Sequence, residues 1–465
     1  MAETLVERLA AFAVETRDRG IPDVVVEDVK SKILDVLGNS LAAWGDEPGD
    51  AVHEMVSDWG GKPEAGVLGK TTRLPAPSAA LVNGTLAHAL DFDDTHLPSV
   101  LHPSASVVPA VLAAAQASGA GGLEALVAVA VGDEINVRLG AASYDPAIKN
   151  SVFFENGLHA TSICGTLASA AATGMLLGLD ETAMASAIGI AASMGAGLLE
   201  ANRTGGSVKR MHCGWAAHAG ISAGQLALRG VTGPPTVLEG RFGFFRAYSE
   251  GRFNEEALIG DLGGRWELQR VHYKPYPTNH FTHAGIDAAL ALRSRGLCVA
   301  DIVEIELGVA APTLRTIAEP PEQKVHPSSP YAAKFSGPFT VATALLGGGG
   351  LGVYLDDFTD ATIEDPDRLR LAELVRCVAD EEATDAFPNS FGGILKVRMS
   401  SGAVLEHRVR HNRGGPESPL SREELTTKFR LNASRRLSES DVVAMVEAVR
   451  RLEEAPSVDR VLEIA

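Results

Sequence analysis

Apolar residues recur with helical spacing through the first half of the chain. After Pro22, which suits a first helical turn, Val29, Ile33, Val36 and Leu37 fall on one helix face. We therefore predict an all-helical domain over residues 1–265. Its alanine-rich segments predict further helices at Ser104–Ala117, Gly122–Ala141, Ala160–Leu177, Thr182–Leu199 and Ala216–Leu228.

The periodicity changes after residue 265. Ile302–Leu307 alternates apolar and acidic residues, which is the period of a half-buried strand. Gly393–Met399 and Ala403–Arg410 flank a glycine-containing turn and predict a β-hairpin. Helices are expected between these strands. We predict a smaller α+β domain over residues 266–412, with helices at His283–Arg295 and Tyr331–Leu346.

The tail returns to a helical pattern. Ser421 begins a capping-box sequence, and Ser438 precedes a second amphipathic segment. We expect the helices of residues 413–465 to return to the first domain, which would make the α+β domain an insertion. The predicted fold class is mainly α: a large all-helical domain with a smaller α+β domain.

Charge and cysteine content exclude several classes of protein. The formal net charge is −18 and no run of Lys and Arg supplies a basic surface, so nucleic acid is not an expected partner. The four cysteines are far apart and suit a reducing cytoplasm, and the acidic N-terminus does not resemble a signal peptide. The nearly uncharged segments Gly157–Leu179 and Thr182–Leu199 are better explained as buried helices than as membrane spans.

The densest polar segment is His88–His96, followed by His102. It places carboxylates and imidazoles between two apolar helices, which favours a functional site over a solvated turn. The facial-triad and HExxH spacings of metal sites are absent, so we predict no metal. Dinucleotide-binding, P-loop and nucleophile-elbow motifs are absent as well.

Three further polar residues stand at notable positions. His159 precedes an apolar helix, whose N-terminus favours a neutral imidazole, although a structural role is an alternative. Lys209 precedes another apolar helix, where cations oppose the helix dipole unless an anion binds; an exposed basic turn is the alternative. Lys274 lies between two tyrosines in a proline-rich segment, and would either reach a cleft or belong to a rigid linker.

Taken in order, these segments resemble the MmgE/PrpD family, which includes 2-methylcitrate dehydratase, cis-aconitate decarboxylase and iminodisuccinate epimerase. The resemblance rests on HALDFDDTH (88–96), GLHATSICG (157–165), VKRMHCGWAAH (208–218), HYKPYPTNHFTH (272–283) and AKFSGPFTV (333–341). It implies a helical domain with an α+β lid, an active site between them, a homodimer, and no metal or organic cofactor. It also implies the site residues Asp91, Thr95, His102, His159, Lys209 and Lys274.

Two features depart from the family pattern. Dehydratase members tend to have asparagine where this chain has Asp93. Decarboxylase members carry a tyrosine shortly after the first strand of the lid, and none occurs near Ala311–Thr313. The first departure weakens the expectation of a dehydratase, and the second weakens the expectation of a decarboxylase.

The resemblance predicts acid–base chemistry beside a carboxylate of a small di- or tricarboxylic acid. We expect His102 and His159 to move the proton, Lys209 and Lys274 to bind substrate carboxylates, Asp91 to orient an imidazole, and Thr95 to hydrogen-bond substrate. A hydro-lyase of the 2-methylcitrate dehydratase type is the first expectation. The alternatives are an epimerase, then a decarboxylase, and outside enzymes a polycarboxylate-binding protein.

Overall fold

The computed structural model describes residues 3–45, 48–201 and 206–463. The chain forms two compact units. The first contains the chain up to Val271 together with the part from Phe429 onward, and the second runs from His272 to Lys428. The predicted boundaries were after residues 265 and 412. The helices after Phe429 belong to the first unit.

The first unit is built from long helices with small side chains. Its longer helices are α1 (Leu5–Arg19), α2 (Asp23–Ala42), α3 (Gly49–Trp59), α4 (Ala76–His88), α5 (Ser104–Ser118), α6 (Gly122–Ala142), α7 (Ala160–Leu176), α8 (Glu181–Ala192) and α9 (His212–Leu228). Short helices occur at Val152–Glu155, Phe244–Ser249 and Glu255–Ile259. The unit is not strictly all-helical, because Ala65–Gly66 pairs with Arg73–Leu74 and Tyr144–Asp145 pairs with Asn150–Ser151.

Glycine brings α4 and α9 into direct backbone contact. A Cβ on Gly214 would lie 2.1 Å from the carbonyl oxygen of Leu81, and one on Gly84 would lie 2.8 Å from the Cα of Gly214. Real side chains do not approach so closely, so only glycine permits this crossing. The crossing places the C-terminal end of α4, at His88, close to the N-terminal end of α9, at His212.

Helix bounds differ from the predicted ones in three places. The helix predicted over Thr182–Leu199 ends at Ala192, before a stretch rich in glycine. Helix α9 begins four residues before the predicted start at Ala216. The helix predicted over Tyr331–Leu346 is two helices, because Ser336 caps the second of them through the backbone N–H of Phe339. None of the helices in the described ranges is long and apolar enough to cross a membrane.

The second unit contains a four-stranded mixed sheet. Its strands are β1 (Ile302–Val309), β2 (Val375–Ala379), β3 (Gly393–Met399) and β4 (Val404–Val409), in the order β4-β3-β1-β2. The predicted hairpin is confirmed as the antiparallel pair β3–β4. Strand β2, which runs parallel to β1, was not predicted.

Helices cover the sheet's apolar side chains. The longer ones are α10 (His283–Ser294) and α11 (Gly337–Leu346). Shorter helices lie at Leu314–Ile317, Pro321–Val325, Pro330–Ala333, Asp360–Ile363, Pro366–Glu373 and Glu381–Ala386. The described C-terminal part of the chain forms two longer helices. Helix α12 (Arg422–Ala433) begins with the predicted capping box, in which Ser421 and Glu424 each accept a hydrogen bond from the other's backbone N–H, and α13 (Glu439–Arg450) is capped by Ser438. The mainly α fold with a small α+β part is confirmed.

Candidate active site

The candidate site is built on the segment that joins α4 to α5. His88 is the last residue of α4 and Ser104 is the first of α5. Between them, Asp91, Asp93 and Thr95 are buried. Because these side chains are buried, the alternative interpretation of the segment as a solvated turn is excluded.

Asp93 holds the ring of His88. Its Oδ2 lies 2.7 Å from Nδ1 of His88 and 3.8 Å from Nδ1 of His102. The side chains of His88 and Asp93 are almost completely buried. Because a carboxylate only accepts hydrogen bonds, the hydrogen sits on Nδ1 of His88, and the ring is fixed in orientation. The carboxylate of Asp93 thus has a hydrogen-bond partner in His88. Dehydratase members of the family that the sequence resembles tend to have asparagine at this position.

His102 is oriented through the same ring nitrogen. Its Nδ1 lies 2.7 Å from the backbone carbonyl oxygen of Asp94 and 3.3 Å from the hydroxyl of Thr95. Its backbone N–H donates to the hydroxyl of Thr161 at 3.2 Å. A carbonyl oxygen can only accept, so Nδ1 carries the hydrogen and Nε2 of the neutral ring carries a lone pair. That is the tautomer in which Nε2 can act as a base.

Four imidazoles form a row in the first unit. Ring centroids are 5.2 Å apart between His102 and His88, 5.4 Å between His88 and His159, and 5.1 Å between His159 and His212. His102 and His159, the two predicted acid–base residues, therefore lie on either side of His88. The row extends over helices α4, α7 and α9, and no single segment of sequence contains it.

Burial keeps the far end of this row neutral. Desolvation, followed by the positive charge of neighbouring imidazoles and Lys209, holds the pKa of His159 well below its usual value. Desolvation, with His88 and Lys209, lowers the pKa of His212 to about 4. A neutral imidazole can accept a proton, and the proton-accepting role of His159 stays a prediction.

Lys209 is a cation near this row of imidazoles in the first unit. It lies in the 3₁₀ turn Val208–Met211, directly before α9, and is half-buried. Its charge contributes to the lowered pKa of both His159 and His212, so the ammonium group is close enough to influence both rings. No residue of this turn is fully buried, so the anion-binding role of Lys209 stays a prediction.

Lys274 belongs to the second unit. It is buried, as are its neighbours Tyr273 and Tyr276, and Tyr276 donates a hydrogen bond to Asp287 at 2.6 Å. Tyr276, two residues further on, therefore belongs to the core of the second unit. Its role in substrate binding stays a prediction from the motif.

Asp91 has an unusual backbone. Its φ is 56°, in the left-handed region, and its side chain is buried. A non-glycine residue there is uncommon, although aspartate tolerates the conformation better than most. The turn directs the chain from the end of α4 into the polar segment, two residues before Asp93. Whether Asp91 orients an imidazole stays a prediction.

A buried pair of carboxyl groups lies behind the His102 loop. The hydroxyl of Ser104 is 2.5 Å from Oδ2 of Asp94 and 2.8 Å from Oδ2 of Asp133. A hydroxyl has one hydrogen, so it can donate to only one of these carboxyls, and the other must carry a proton of its own. Desolvation raises the pKa of Asp94 to about 7 and that of Asp133 well above its usual value, with Lys32 opposing both shifts.

Three potential metal ligands also meet near the row. Ligand atoms of His88, Asp93 and Cys213 lie within 4.8 Å of one another, and all three residues are buried. Two of the three already share a hydrogen bond, and burial raises the pKa of the Cys213 thiol well above its usual value. Both facts oppose metal binding, because a metal needs the thiolate and must break that bond. The absence of a metal stays a prediction.

Sequence reasoning missed several residues of this site. His88 was seen within its motif but given no role, and its position five residues before Asp93 is the signal that could have paired them. His212 lies in the same motif as Lys209 and was passed over. Asp133 lies inside the apolar helix α6, far from any motif, and a buried carboxylate in such a helix is the only sequence signal it offers.

The fold and the buried imidazole row define a mainly α, two-domain protein with a polar site in its helical unit. Comparison with models of protein families identifies the family to which the chain is related. The model of the MmgE/PrpD N-terminal domain matches residues 7–256, and that of the MmgE/PrpD C-terminal domain matches residues 276–454. The chain therefore belongs to the MmgE/PrpD family.

Curated relatives extend over almost the whole chain. The chain is 31% identical to cis-aconitate decarboxylase of Homo sapiens over 469 residues, which is 98% of this chain and 93% of that protein. It is 27% identical to cis-aconitate decarboxylase of Aspergillus terreus over 465 residues, covering 96% of this chain and 92% of the relative. These relatives are enzymes of the same family.

Proposed function

We propose that this protein is a cofactor-independent lyase that moves a proton at carbon beside a carboxylate of a small di- or tricarboxylic acid. The observation that carries the proposal is the tautomer of His102, whose Nδ1 is bonded to the Asp94 carbonyl so that Nε2 holds a lone pair. Dehydration of a citrate-like acid is the first reaction we propose, with one imidazole removing the α-proton and another assisting departure of the hydroxyl.

Electrostatics of the helical unit support this chemistry. Removing a proton beside a carboxylate leaves negative charge on the carbon and the carboxylate, and the ammonium group of Lys209 would stabilise that charge. His159 is neutral and next to His88, so it would accept a proton or donate a hydrogen bond. Thr95 and Asp91 complete the proposed set of the first unit, and Lys274 is proposed to bind a second substrate carboxylate.

Decarboxylation is the second candidate, and it is supported by the similarity to the cis-aconitate decarboxylases of Homo sapiens and Aspergillus terreus. Loss of carbon dioxide also leaves charge on carbon that an imidazolium must protonate, so the same residues would act in the opposite protonation state. Epimerisation of a dicarboxylate is a third reaction of the same kind. A polycarboxylate-binding protein without turnover is the non-enzymatic alternative.

Proton NMR of a panel of di- and tricarboxylates in deuterated water separates these candidates. We expect a hydro-lyase to form a vinyl signal without losing a carbon, and a decarboxylase to form one with release of carbon dioxide. An epimerase would exchange the α-hydrogen for deuterium with no loss of water or carbon. Ligand-induced thermal stabilisation with unchanged spectra across the panel would refute the lyase proposal.

Replacement of His102 tests its role directly. We expect His102→Ala to lower turnover at least about 10²-fold, the usual contribution of a general acid–base group. The matched control is His218→Ala, because His218 lies on α9 and bonds the carbonyl of Pro77 at 3.1 Å. Full activity of His102→Ala would contradict the assignment. Lys274→Ala is expected to raise KM more than it lowers kcat.

Assembly and location complete the proposal. We propose a homodimer in the cytoplasm, as the family resemblance and the cysteine content suggest. Light scattering on the purified protein tests the dimer, and a monomer at micromolar concentration would contradict it.

A further inference from the structure

The contact between His159 and His212 has no role in the chemistry proposed so far. The Nδ1 atoms of the two rings are 2.9 Å apart. His159 is the N-cap residue of α7, and His212 is the first residue of α9. One ring must donate and the other accept, so a single hydrogen lies between them. Both residues are buried, which limits the competition from solvent for this hydrogen.

The surrounding backbone is shaped to this contact. The carbonyl of Gly197 accepts the backbone N–H of His159 at 3.0 Å, and the hydroxyl of Ser162 lies 3.1 Å from the carbonyl oxygen of His212. A Cβ on Gly197 would lie 3.2 Å from Nδ1 of His212 and 3.3 Å from Cβ of His159. Glycine at this position therefore leaves just enough room for the two rings to meet.

We propose that His212 is a positioning residue that shares one proton with His159 and so sets the protonation of its Nε2. When Nε2 of His159 takes a proton from substrate, the hydrogen on its Nδ1 passes to Nδ1 of His212. His159 is then neutral with hydrogen on Nε2, and His212 carries the positive charge. The reverse transfer returns the proton through His159 to substrate or product.

The charges around His159 and His212 disfavour an additional proton on the pair until substrate binds. The pKa of His159 is lowered first by desolvation and then by His88, Lys209 and His102, and that of His212 by desolvation, His88 and Lys209. Desolvation and these charges keep the pair neutral when no substrate is bound. A bound polycarboxylate would add negative charge and favour the singly charged pair. The inference rests on the proposed function, because it concerns the proton that function moves.

Two variants on one helix test the proposal. In His212→Asn, the short amide can still hydrogen-bond His159 but cannot take its proton. His218→Asn is the matched control. We expect His212→Asn to lower kcat about 10²-fold with KM changed less than about threefold, and the control to change neither by more than about twofold. Wild-type kcat in a folded His212→Asn protein, or a loss confined to KM, would overturn the proposal.

A second measurement needs no turnover. In ¹⁵N-histidine NMR of the wild-type protein, we expect the resonances of His159 and His212 to titrate with one common midpoint, and the midpoint to rise when citrate is added. Independent midpoints would overturn the shared proton. If no compound of the panel is turned over but the midpoints coincide, the proposed function fails while the proton-sharing pair stands. The NMR spectra also show whether His212→Asn is folded.

Discussion

The proton shared by Asp94 and Asp133 makes the stability of the helical unit depend on pH in a predictable direction. One of these buried carboxyls must be protonated, because Ser104 has a single hydroxyl hydrogen for both. In the unfolded chain both carboxyls ionise near pH 4. Between about pH 5 and pH 7 the folded state therefore holds one more proton than the unfolded state. The free energy of unfolding then falls as pH rises.

The size of the effect follows from the proton count. One proton of difference changes the free energy of unfolding by about 1.4 kcal/mol per pH unit. Burial raises the pKa of Asp94 to about 7 and that of Asp133 well above its usual value, so the shared proton is bound at low pH and is lost as pH rises through the raised values. Asp133→Asn replaces one acid of the pair with an amide, so that Ser104 can donate to an ionised Asp94 and no shared proton is needed. We expect the variant to lack this loss, about 3 kcal/mol between pH 5 and pH 7.

Tryptophan fluorescence is the assay, since Trp44, Trp59, Trp215 and Trp266 all lie in the first unit. Urea unfolding at several pH values, followed by this signal, gives the free energy of the transition in which the first unit unfolds. The matched control is Asp18→Asn, whose carboxyl is largely exposed. Parallel pH dependences of the wild-type and Asp133→Asn proteins would refute the one-proton argument.

Three further expectations follow from the helical unit. Arg138→Met should lower the free energy of unfolding by about 3–5 kcal/mol, because the buried carboxylate of Glu134 keeps two backbone N–H donors but loses the guanidinium 2.5 Å away. An unchanged urea midpoint would contradict this. Asp93→Ala should lower kcat about tenfold or more, because Nδ1 of His88 loses its acceptor and the ring loses its fixed orientation; the NMR turnover assay measures this. Elemental analysis of the purified protein should find less than about 0.1 equivalent of zinc, and a stoichiometric amount would contradict the prediction that the protein binds no metal.

The long helices were predictable because their apolar spacing is regular over many residues. Gly122–Ala141 and Ala160–Leu177 each agree with the structure to within a residue. The end of α8 at Ala192 was not predictable from periodicity, because the following residues are as apolar as the helix itself. Strand β2 was missed because it has only five residues, and its burial comes from a parallel neighbour distant in sequence.

The site was predictable as a set of motifs but not as a hydrogen-bonded network. His102 and His159 come from the motifs, and the structure brings them together through His88. The hydrogen-bond partner of each ring was not predictable. The carbonyl oxygen of Asp94 holds His102, and the imidazole of His212 holds His159. Neither partner has a sequence pattern that indicates this contact. Such contacts depend on how helices cross, which spacing along one helix does not encode.

The left-handed turn at Asp91 has a consequence for engineering. A residue with a side chain in this conformation typically costs about 1 kcal/mol relative to glycine, so Asp91→Gly should relieve backbone strain. The same change would remove the buried carboxyl group from the turn. A screen that rewards heat resistance alone would therefore favour glycine at this position, and a screen for turnover would favour the aspartate that the chain retains.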